Sequence, residues 1–109
     1  MDRKIEIALT IVTREFAQPL REPDIAERVG LGASRFGRVF RQETGQTFKA
    51  FLRARRMTAA RDMLLSGPTL RIKEVAAAVG YKDRPISAFT RDLSKYWGHP
   101  PSECRRLAA

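Results

Sequence analysis

Arginine is the residue whose type and spacing are most distinctive in this sequence. Between positions 35 and 61 there are eight basic residues against a single acidic one, Glu43, which gives this quarter of the chain a net charge of +7. The basic residues are Arg35, Arg38, Arg41, Lys49, Arg53, Arg55, Arg56 and Arg61. Guanidinium and ammonium groups bind phosphate oxygens, and guanidinium also matches the O6 and N7 acceptors of guanine. This concentration of charge predicts a polyanionic partner, and we favour nucleic acid over acidic lipid or acidic protein.

The whole chain has the composition of a compact basic domain. Its 109 residues include 21 Lys and Arg against 12 Asp and Glu, a net charge of +9, and 43% of them are hydrophobic. No apolar run approaches the roughly 18–20 residues of a membrane span, and the charged N-terminus does not resemble a signal peptide. The single cysteine, Cys104, excludes an internal disulfide and favours a reducing, cytoplasmic setting.

Apolar residues recur at helical spacing throughout, so the sequence predicts an all-α fold. The predicted helices cover residues 5–16, 24–31, 34–45, 48–67, 72–81 and 89–98. The longest of them is stopped by Gly67-Pro68. In the first helix Ile7 and Ile11 lie opposite the main apolar stripe. They are either covered by the rest of the domain or available to a partner.

An internal repeat divides the chain. Ile25-Ala26-x-x-Val29-Gly30 returns as Val75-Ala76-x-x-Val79-Gly80, and the helix at 36–45 returns at 89–98. A short helix, a glycine turn and a second helix form a helix-turn-helix, whose second helix enters the major groove of DNA. We therefore predict two helix-turn-helix units, at about 5–47 and 69–107, joined by a linker helix at about 48–66.

The second helix of each unit combines an apolar side with a polar one. In the first unit Phe36 and Phe40 share one side, while Arg35, Arg38 and Arg41 lie on the other. A helix built in this way can pack on a core and contact phosphates and base edges at the same time.

These motifs together resemble the DNA-binding domain of the AraC/XylS family of bacterial transcription activators. The stretches that carry the resemblance are IAERVGL, SRFGRVFRQETGQTF, RARRMTAARDMLL, VAAAVGY and FTRDLSKYWGHPPSECRR, which span about residues 5–106. The resemblance implies about seven helices, with both recognition helices in successive major grooves on one face of double-stranded DNA. A connecting helix of 15–18 residues, about 22–27 Å long, suits grooves that recur at about 34–36 Å.

The resemblance also implies individual DNA contacts. The residues predicted to contact bases are Ser34, Arg35, Gly37, Arg38, Ser87, Thr90 and Arg91. The residues predicted to contact phosphates are Arg41, Lys49, Arg53, Lys82, Arg84, Lys95, Arg105 and Arg106. Gly37 departs from the family, which usually has a side chain there; the glycine either allows a closer backbone approach or contacts no base. Glu22 stands where the family often has an apolar residue.

The second unit is longer than the first between its turn glycine and its recognition helix. Gly30 and Phe36 are six residues apart, whereas Gly80 and Phe89 are nine apart. We expect either a recognition helix extended at its N-terminus, with Asp83 as its cap and Pro85 in its first turn, or a longer turn that directs Lys82 and Arg84 toward the DNA backbone. A loop insertion that abolishes base contact is the alternative.

Other functional classes have less support. His99 is the only histidine. The sequence contains no set of metal ligands, no nucleophile paired with a base and no phosphate-binding glycine loop. We therefore expect no enzyme activity, no metal and no cofactor. The main alternative is a module that binds nucleic acid without sequence preference. The resemblance implies contact with RNA polymerase. It also implies either a stand-alone regulator or a domain that follows an N-terminal effector-binding domain, and Ile7 and Ile11 favour the second.

Overall fold

The computed structural model describes residues 1–66 and 69–107, without the side chains of Arg105 and Leu107. This part of the chain contains helices and no strand, which confirms the predicted all-α fold. The helices are α1 (Arg3–Glu15), α2 (Glu22–Val29), α3 (Ala33–Thr44), α4 (Phe48–Ser66), α5 (Ile72–Ala76), α6 (Ile86–Trp97) and α7 (Pro101–Leu107). The predicted stop at Gly67-Pro68 lies outside the described residues. None of the described helices is long and apolar enough to cross a membrane.

The chain forms two compact units, Met1–Arg55 and Arg56–Ala109, and the division between them falls within α4. The N-terminal half of α4 places Phe48 and Leu52 in the core of the first unit. Its C-terminal half buries Met57, Ala60 and Leu64. The linker helix expected from the sequence therefore supplies core residues as well as a connection.

The first unit packs α1, α2 and α3 around an aliphatic and aromatic core. Asp2 caps α1 by accepting a hydrogen bond from the Lys4 amide at 2.8 Å. The two residues opposite the main stripe of α1 differ: Ile11 is only 8% exposed and belongs to the core, whereas Ile7 is 41% exposed. Of these two residues, the unit therefore covers Ile11 and leaves Ile7 on the surface.

The turn between α2 and α3 is short because Gly30 adopts a left-handed conformation. Its φ is 79°, and its amide donates to the Glu27 carbonyl at 3.0 Å. The next amide, of Leu31, reaches back to the Ala26 carbonyl at 2.9 Å. These bonds satisfy the last carbonyls of α2, so that α3 can begin at Ala33.

The second unit repeats this arrangement with a different turn. After Ala76 the chain continues through a turn, Ala77–Tyr81, in which Gly80 departs from helical geometry with φ 105°. Helix α6 then begins at Ile86, preceded by Pro85 in an extended conformation with ψ 144°. Among the hydrophobic residues buried in this unit are Val75, Val79, Tyr81, Phe89, Leu93 and Cys104.

The extra residues of the second unit all lie in this turn. Helices α3 and α6 each contain 12 residues, and Phe36 and Phe89 are the fourth residue of their helices. The expected N-terminal extension of the recognition helix is therefore wrong, and so is the expectation that Asp83 caps it. Pro85 rather than Asp83 immediately precedes the helix, and no side chain caps its first turn.

Candidate nucleic-acid interface

Helix α3 separates its core residues from its polar residues as predicted. Phe36 and Phe40 are completely buried, with ring centroids 5.6 Å apart. Among the residues predicted to contact bases, Ser34, Arg35 and Arg38 are exposed. Since the buried rings fix the rotation of the helix about its axis, these three side chains face the solvent together.

Helix α6 has the same separation at equivalent positions. Phe89 and Leu93 are completely buried, and the Phe89 ring packs edge to face against Tyr81 at 5.4 Å. Ser87 and Arg91 are exposed and Thr90 is partly exposed. All three predicted base-contacting residues of this helix are therefore accessible.

Gly37 lies close to the side chain of Glu22. A Cβ atom built on Gly37 would lie 3.1 Å from the Oε1 atom of Glu22, the first residue of α2. The two departures from the family pattern are thus adjacent in space, and the carboxylate of Glu22 occupies the space beside residue 37. The sequence showed each departure separately but could not show that they touch.

Three arginines in the basic segment pack on their own unit. The Arg55 guanidinium lies 4.5 Å from the centroid of the Phe16 ring, and the Arg61 guanidinium lies 4.6 Å from that of Trp97. Arg56 is half-buried, and burial lowers its pKa. These residues support the fold through cation–π contact or packing, so the positive charge of the segment overstates the charge available to a partner.

The other five basic residues of this segment are exposed: Arg35, Arg38, Arg41, Lys49 and Arg53. Lys49 and Arg53 are four residues apart on α4 and share one side of that helix. The predicted phosphate contacts of the first unit, Arg41, Lys49 and Arg53, are thus all available to an anion.

In the second unit the predicted phosphate contacts divide into two groups. Lys82 and Lys95 are exposed. Arg84 is exposed but lies 3.8 Å from the Asp92 carboxylate, and Arg106 donates from Nε to Glu103 Oε2 at 3.1 Å. The side chain of Arg105 lies outside the described part of α7. A phosphate would compete with these carboxylates for Arg84 and Arg106.

A polar cluster ties the turn of the second unit to α6. The Tyr81 hydroxyl donates to Asp92 Oδ2 at 2.7 Å. The Arg84 guanidinium lies 4.5 Å above the Tyr81 ring. Burial and the bond to Asp92 raise the pKa of Tyr81 to about 12. Nothing in the sequence pattern indicated this cluster, because it depends on the path of the longer turn.

Cys104 and His99 form a partly buried contact. The Cys104 sulfur lies 3.2 Å from His99 Nδ1, and burial raises the pKa of the thiol. A thiol with a raised pKa is a poor nucleophile, and Cys104, only 1% exposed, packs in the core of its unit. The described residues contain no group of three or more side chains that could hold a metal ion.

Comparison with known proteins identifies this arrangement. The model of a helix-turn-helix domain family matches residues 25–107. The Msm operon regulatory protein of Streptococcus mutans is 31% identical over 96 residues, which cover 88% of this chain and 34% of that protein. The transcriptional activator RhrA of Rhizobium meliloti is 33% identical over 87 residues, covering 79% of this chain and 27% of RhrA. The chain spans about a third of the length of these curated relatives.

A solved structure shows the same fold. The C-terminal domain of AraT, a response regulator from Geobacillus stearothermophilus, is 29% identical and superposes with a TM-score of 0.91. The match covers 97% of this chain and 86% of that domain. Together with the paired helix-turn-helix units and their exposed arginines, these similarities show that the chain belongs to the AraC/XylS family of transcription regulators, as its helix-turn-helix DNA-binding domain.

Proposed function

We propose that this domain regulates transcription by binding a specific sequence of double-stranded DNA, with α3 and α6 each inserted in the major groove. One observation carries this proposal: two 12-residue helices present equivalent polar residues to solvent while identical fourth positions, Phe36 and Phe89, are completely buried. A recognition helix needs a fixed rotation so that its side chains meet defined base edges, and the buried rings provide it.

The exposed residues fall into two functional groups. Arg38 and Arg91 occupy equivalent positions on α3 and α6, where each guanidinium can donate two hydrogen bonds to guanine O6 and N7. Ser34, Arg35, Ser87 and Thr90 share these exposed faces. The lysines and arginines outside these faces contact phosphates, which position the protein without specifying sequence.

Gly37 contributes no side-chain contact to a base. The neighbouring Glu22 carboxylate would lie 3.1 Å from the Cβ atom of a side chain at this position. We infer that base recognition by α3 depends on Ser34, Arg35 and Arg38.

A module that binds nucleic acid without sequence preference is the second candidate, because it could use the same exposed arginines. Binding to a preferred duplex, selected from a random pool, is compared with binding to its scrambled version at several salt concentrations. We expect both affinities to fall with salt, and the selected duplex to keep an advantage throughout, since base contacts persist after phosphate contacts weaken. Equal affinity for both duplexes at every salt concentration would contradict sequence-specific regulation.

We infer the wider partners from the resemblance to the family. We propose that the domain acts in the bacterial cytoplasm together with RNA polymerase, and that an effector-binding domain precedes it, since its curated relatives are about three times as long. The exposed Ile7 on α1, beside Thr10 in a shallow hollow, offers an apolar surface for such a partner. Transcription in vitro from a promoter that contains the selected site, with and without the protein, measures whether the output is activation, which we expect, or repression.

A further inference from the structure

The first residue of α6 is a large apolar side chain with no role in the core. Ile86 is 45% exposed, whereas the core side of the helix is formed by Ala88, Phe89 and Leu93. The equivalent first residue of α3 is Ala33. An exposed isoleucine by itself is common on protein surfaces, so its surroundings decide whether it has a function.

The surroundings of Ile86 are positively charged. It lines a hollow of about 430 Å³ between α5, the turn that follows it and the start of α6, and the other lining residues are Lys73, Ala76, Ala77, Tyr81, Lys82 and Arg84. Three of these seven residues are basic and none is acidic. The surface therefore suits a polyanion that also presents an apolar group at close range.

Double-stranded DNA offers such a group. Thymine carries a C5-methyl group in the major groove, beside the negatively charged backbone, and apolar side chains contact it. The N-terminal residues of a recognition helix are the ones that approach base edges. Ile86 occupies this position in α6, and Lys73 and Lys82 flank it.

The longer turn makes this contact possible. Because α6 begins at Ile86, the isoleucine is held by the helix and lies just beyond the longer turn. Arg84, the nearest large cation in the turn, lies over the Tyr81 ring and 3.8 Å from Asp92. Arg84 is thus drawn toward its own unit, and Ile86 is the large apolar side chain exposed at the N-terminus of α6, next to the exposed Ser87.

We propose that Ile86 contacts the C5-methyl group of a thymine and gives the second helix-turn-helix unit a preference for thymine at one position of its half-site. This inference rests on the proposed function, because it assumes that α6 enters the major groove. It adds a base-contacting residue that the sequence did not indicate, since Ser87 was the first position of this helix predicted to contact a base.

Replacement of thymine by uracil tests the contact, because uracil differs only in lacking the methyl group. In the selected duplex each thymine is replaced in turn, and dissociation constants are measured for the wild-type protein and for Ile86→Ala. For the wild type we expect one replacement to weaken binding roughly threefold to tenfold, the effect of losing one buried methyl contact. The same replacement should leave the affinity of Ile86→Ala unchanged.

Ile86→Val provides a matched control, since valine keeps a branched apolar side chain at an exposed position. It should retain most of the sensitivity to uracil at the same thymine. Circular dichroism spectra that match the wild type establish that both variants are folded.

Two results overturn the inference. Either no thymine-to-uracil replacement affects the wild type, or the sensitive thymine remains equally sensitive in Ile86→Ala. Both are distinct from failure of the proposed function, in which the wild-type protein would not distinguish the selected duplex from its scrambled version.

Discussion

The two units of this domain use the same recognition helix with different turns. Between the turn glycine and the helix, the first unit has two residues, Leu31 and Gly32, whereas the second has five, from Tyr81 to Pro85. Nevertheless, Phe36 and Phe89 have the same position in their helices and are equally buried. The comparison shows that core packing determines the rotation of the recognition helix, while the length of the turn is free to vary.

The two turns also differ in the contacts that stabilise them. In the first unit the backbone bonds of Gly30 and Leu31 close the turn, and Lys4 Nζ donates to the Gly30 carbonyl at 3.3 Å. The longer turn of the second unit relies on the side chains of Tyr81 and Arg84. The second turn also has a backbone bond from the Arg84 amide to the Tyr81 carbonyl at 3.2 Å, but since its side-chain contacts add to this bond, we expect it to be the more sensitive to substitution.

The largest expected difference between the units concerns their turn glycines. An alanine at Gly80 would combine a φ of 105° with a Cβ 2.8 Å from Arg56 Nε, whereas at Gly30 the nearest atom is Lys4 Nζ at 3.8 Å. Gly80→Ala should lower the free energy of unfolding by roughly 2–4 kcal/mol. Gly30→Ala should lower it by about 1–2 kcal/mol, from backbone strain alone. Urea denaturation measures both values.

The Arg56→Ala background separates the two causes at Gly80. Without the guanidinium, Gly80→Ala should lower the free energy of unfolding by about as much as Gly30→Ala does in the wild type. If Gly80→Ala lowers the free energy of unfolding of the wild type by no more than Gly30→Ala does, the close approach of Arg56 does not add to the loss of stability.

The second comparison concerns the paired arginines of the recognition helices. Arg38→Ala and Arg91→Ala should each weaken binding to the selected duplex by roughly 1–3 kcal/mol and relax the preference at one base position, and the two positions should differ. Arg53→Ala should instead weaken binding to all duplexes alike and reduce the salt dependence. Dissociation constants on the selected duplex and its single-base variants measure these effects. An Arg91→Ala variant that behaves like Arg53→Ala would show that the second unit holds the DNA without recognising its sequence.

The third comparison concerns the hydroxyl group that only the second turn possesses. Tyr81→Phe removes the bond to Asp92 and should lower the free energy of unfolding by about 1–2 kcal/mol at pH 7, since the acceptor is charged. The equivalent residue in the first unit, Leu31, has no such group. Urea denaturation of the wild type and of Tyr81→Phe gives this difference.

The same variant has a defined pH dependence. Folding raises the pKa of Tyr81 from its ordinary value of 10.0 to about 12, so the folded state favours the protonated phenol. This stabilisation is fully present below pH 10 and is lost as the pH rises toward 12. The difference in unfolding free energy between wild type and Tyr81→Phe should therefore shrink over this range. A difference that stays constant between pH 9 and pH 12 would contradict the raised pKa.

The smallest expected effect concerns Gly37, the counterpart of Thr90. Alanine is favoured over glycine in a helix by about 0.5–1 kcal/mol, but here its Cβ would lie 3.1 Å from the Glu22 carboxylate. Gly37→Ala should therefore raise the free energy of unfolding of the wild type by less than about 0.5–1 kcal/mol. In a Glu22→Ala background it should raise the free energy of unfolding by this full amount. Thermal denaturation of the four proteins in this double-mutant cycle measures the coupling. Equal gains in both backgrounds would show that Glu22 does not restrict the position.

The sequence predicted the helices and their exposed faces because both depend on local periodicity. Phe36 and Phe40 recur at helical spacing, and Arg35, Arg38 and Arg41 fall on the other side of the helix. Repetition of this pattern at Phe89 located the second recognition helix. The turn glycines 30 and 80 were recognisable for the same reason, since each ends an apolar pattern.

The sequence did not predict features that depend on contacts between distant residues. The path of the second turn follows from the contact of Tyr81 with Asp92, eleven residues later, and the expected cap at Asp83 was wrong because the helix starts only after Pro85. The contact of Gly37 with Glu22 and the packing of Arg56 beside Gly80 are likewise tertiary. Charge alone also could not distinguish arginines that pack on their own unit from those free to bind DNA.

The equal length and register of α3 and α6 have a practical consequence for engineering. Each position of α3 has a counterpart in α6 whose number is higher by 53, from Ala33 and Ile86 to Thr44 and Trp97, although the exposed Arg35 corresponds to the buried Ala88. Side chains can therefore be exchanged between the two helices at counterpart positions that are exposed in both, such as Ala33 with Ile86 or Gln42 with Lys95, while the buried phenylalanines stay in place. The unequal turn does not interrupt this correspondence, so two half-sites could be reprogrammed independently on a single scaffold.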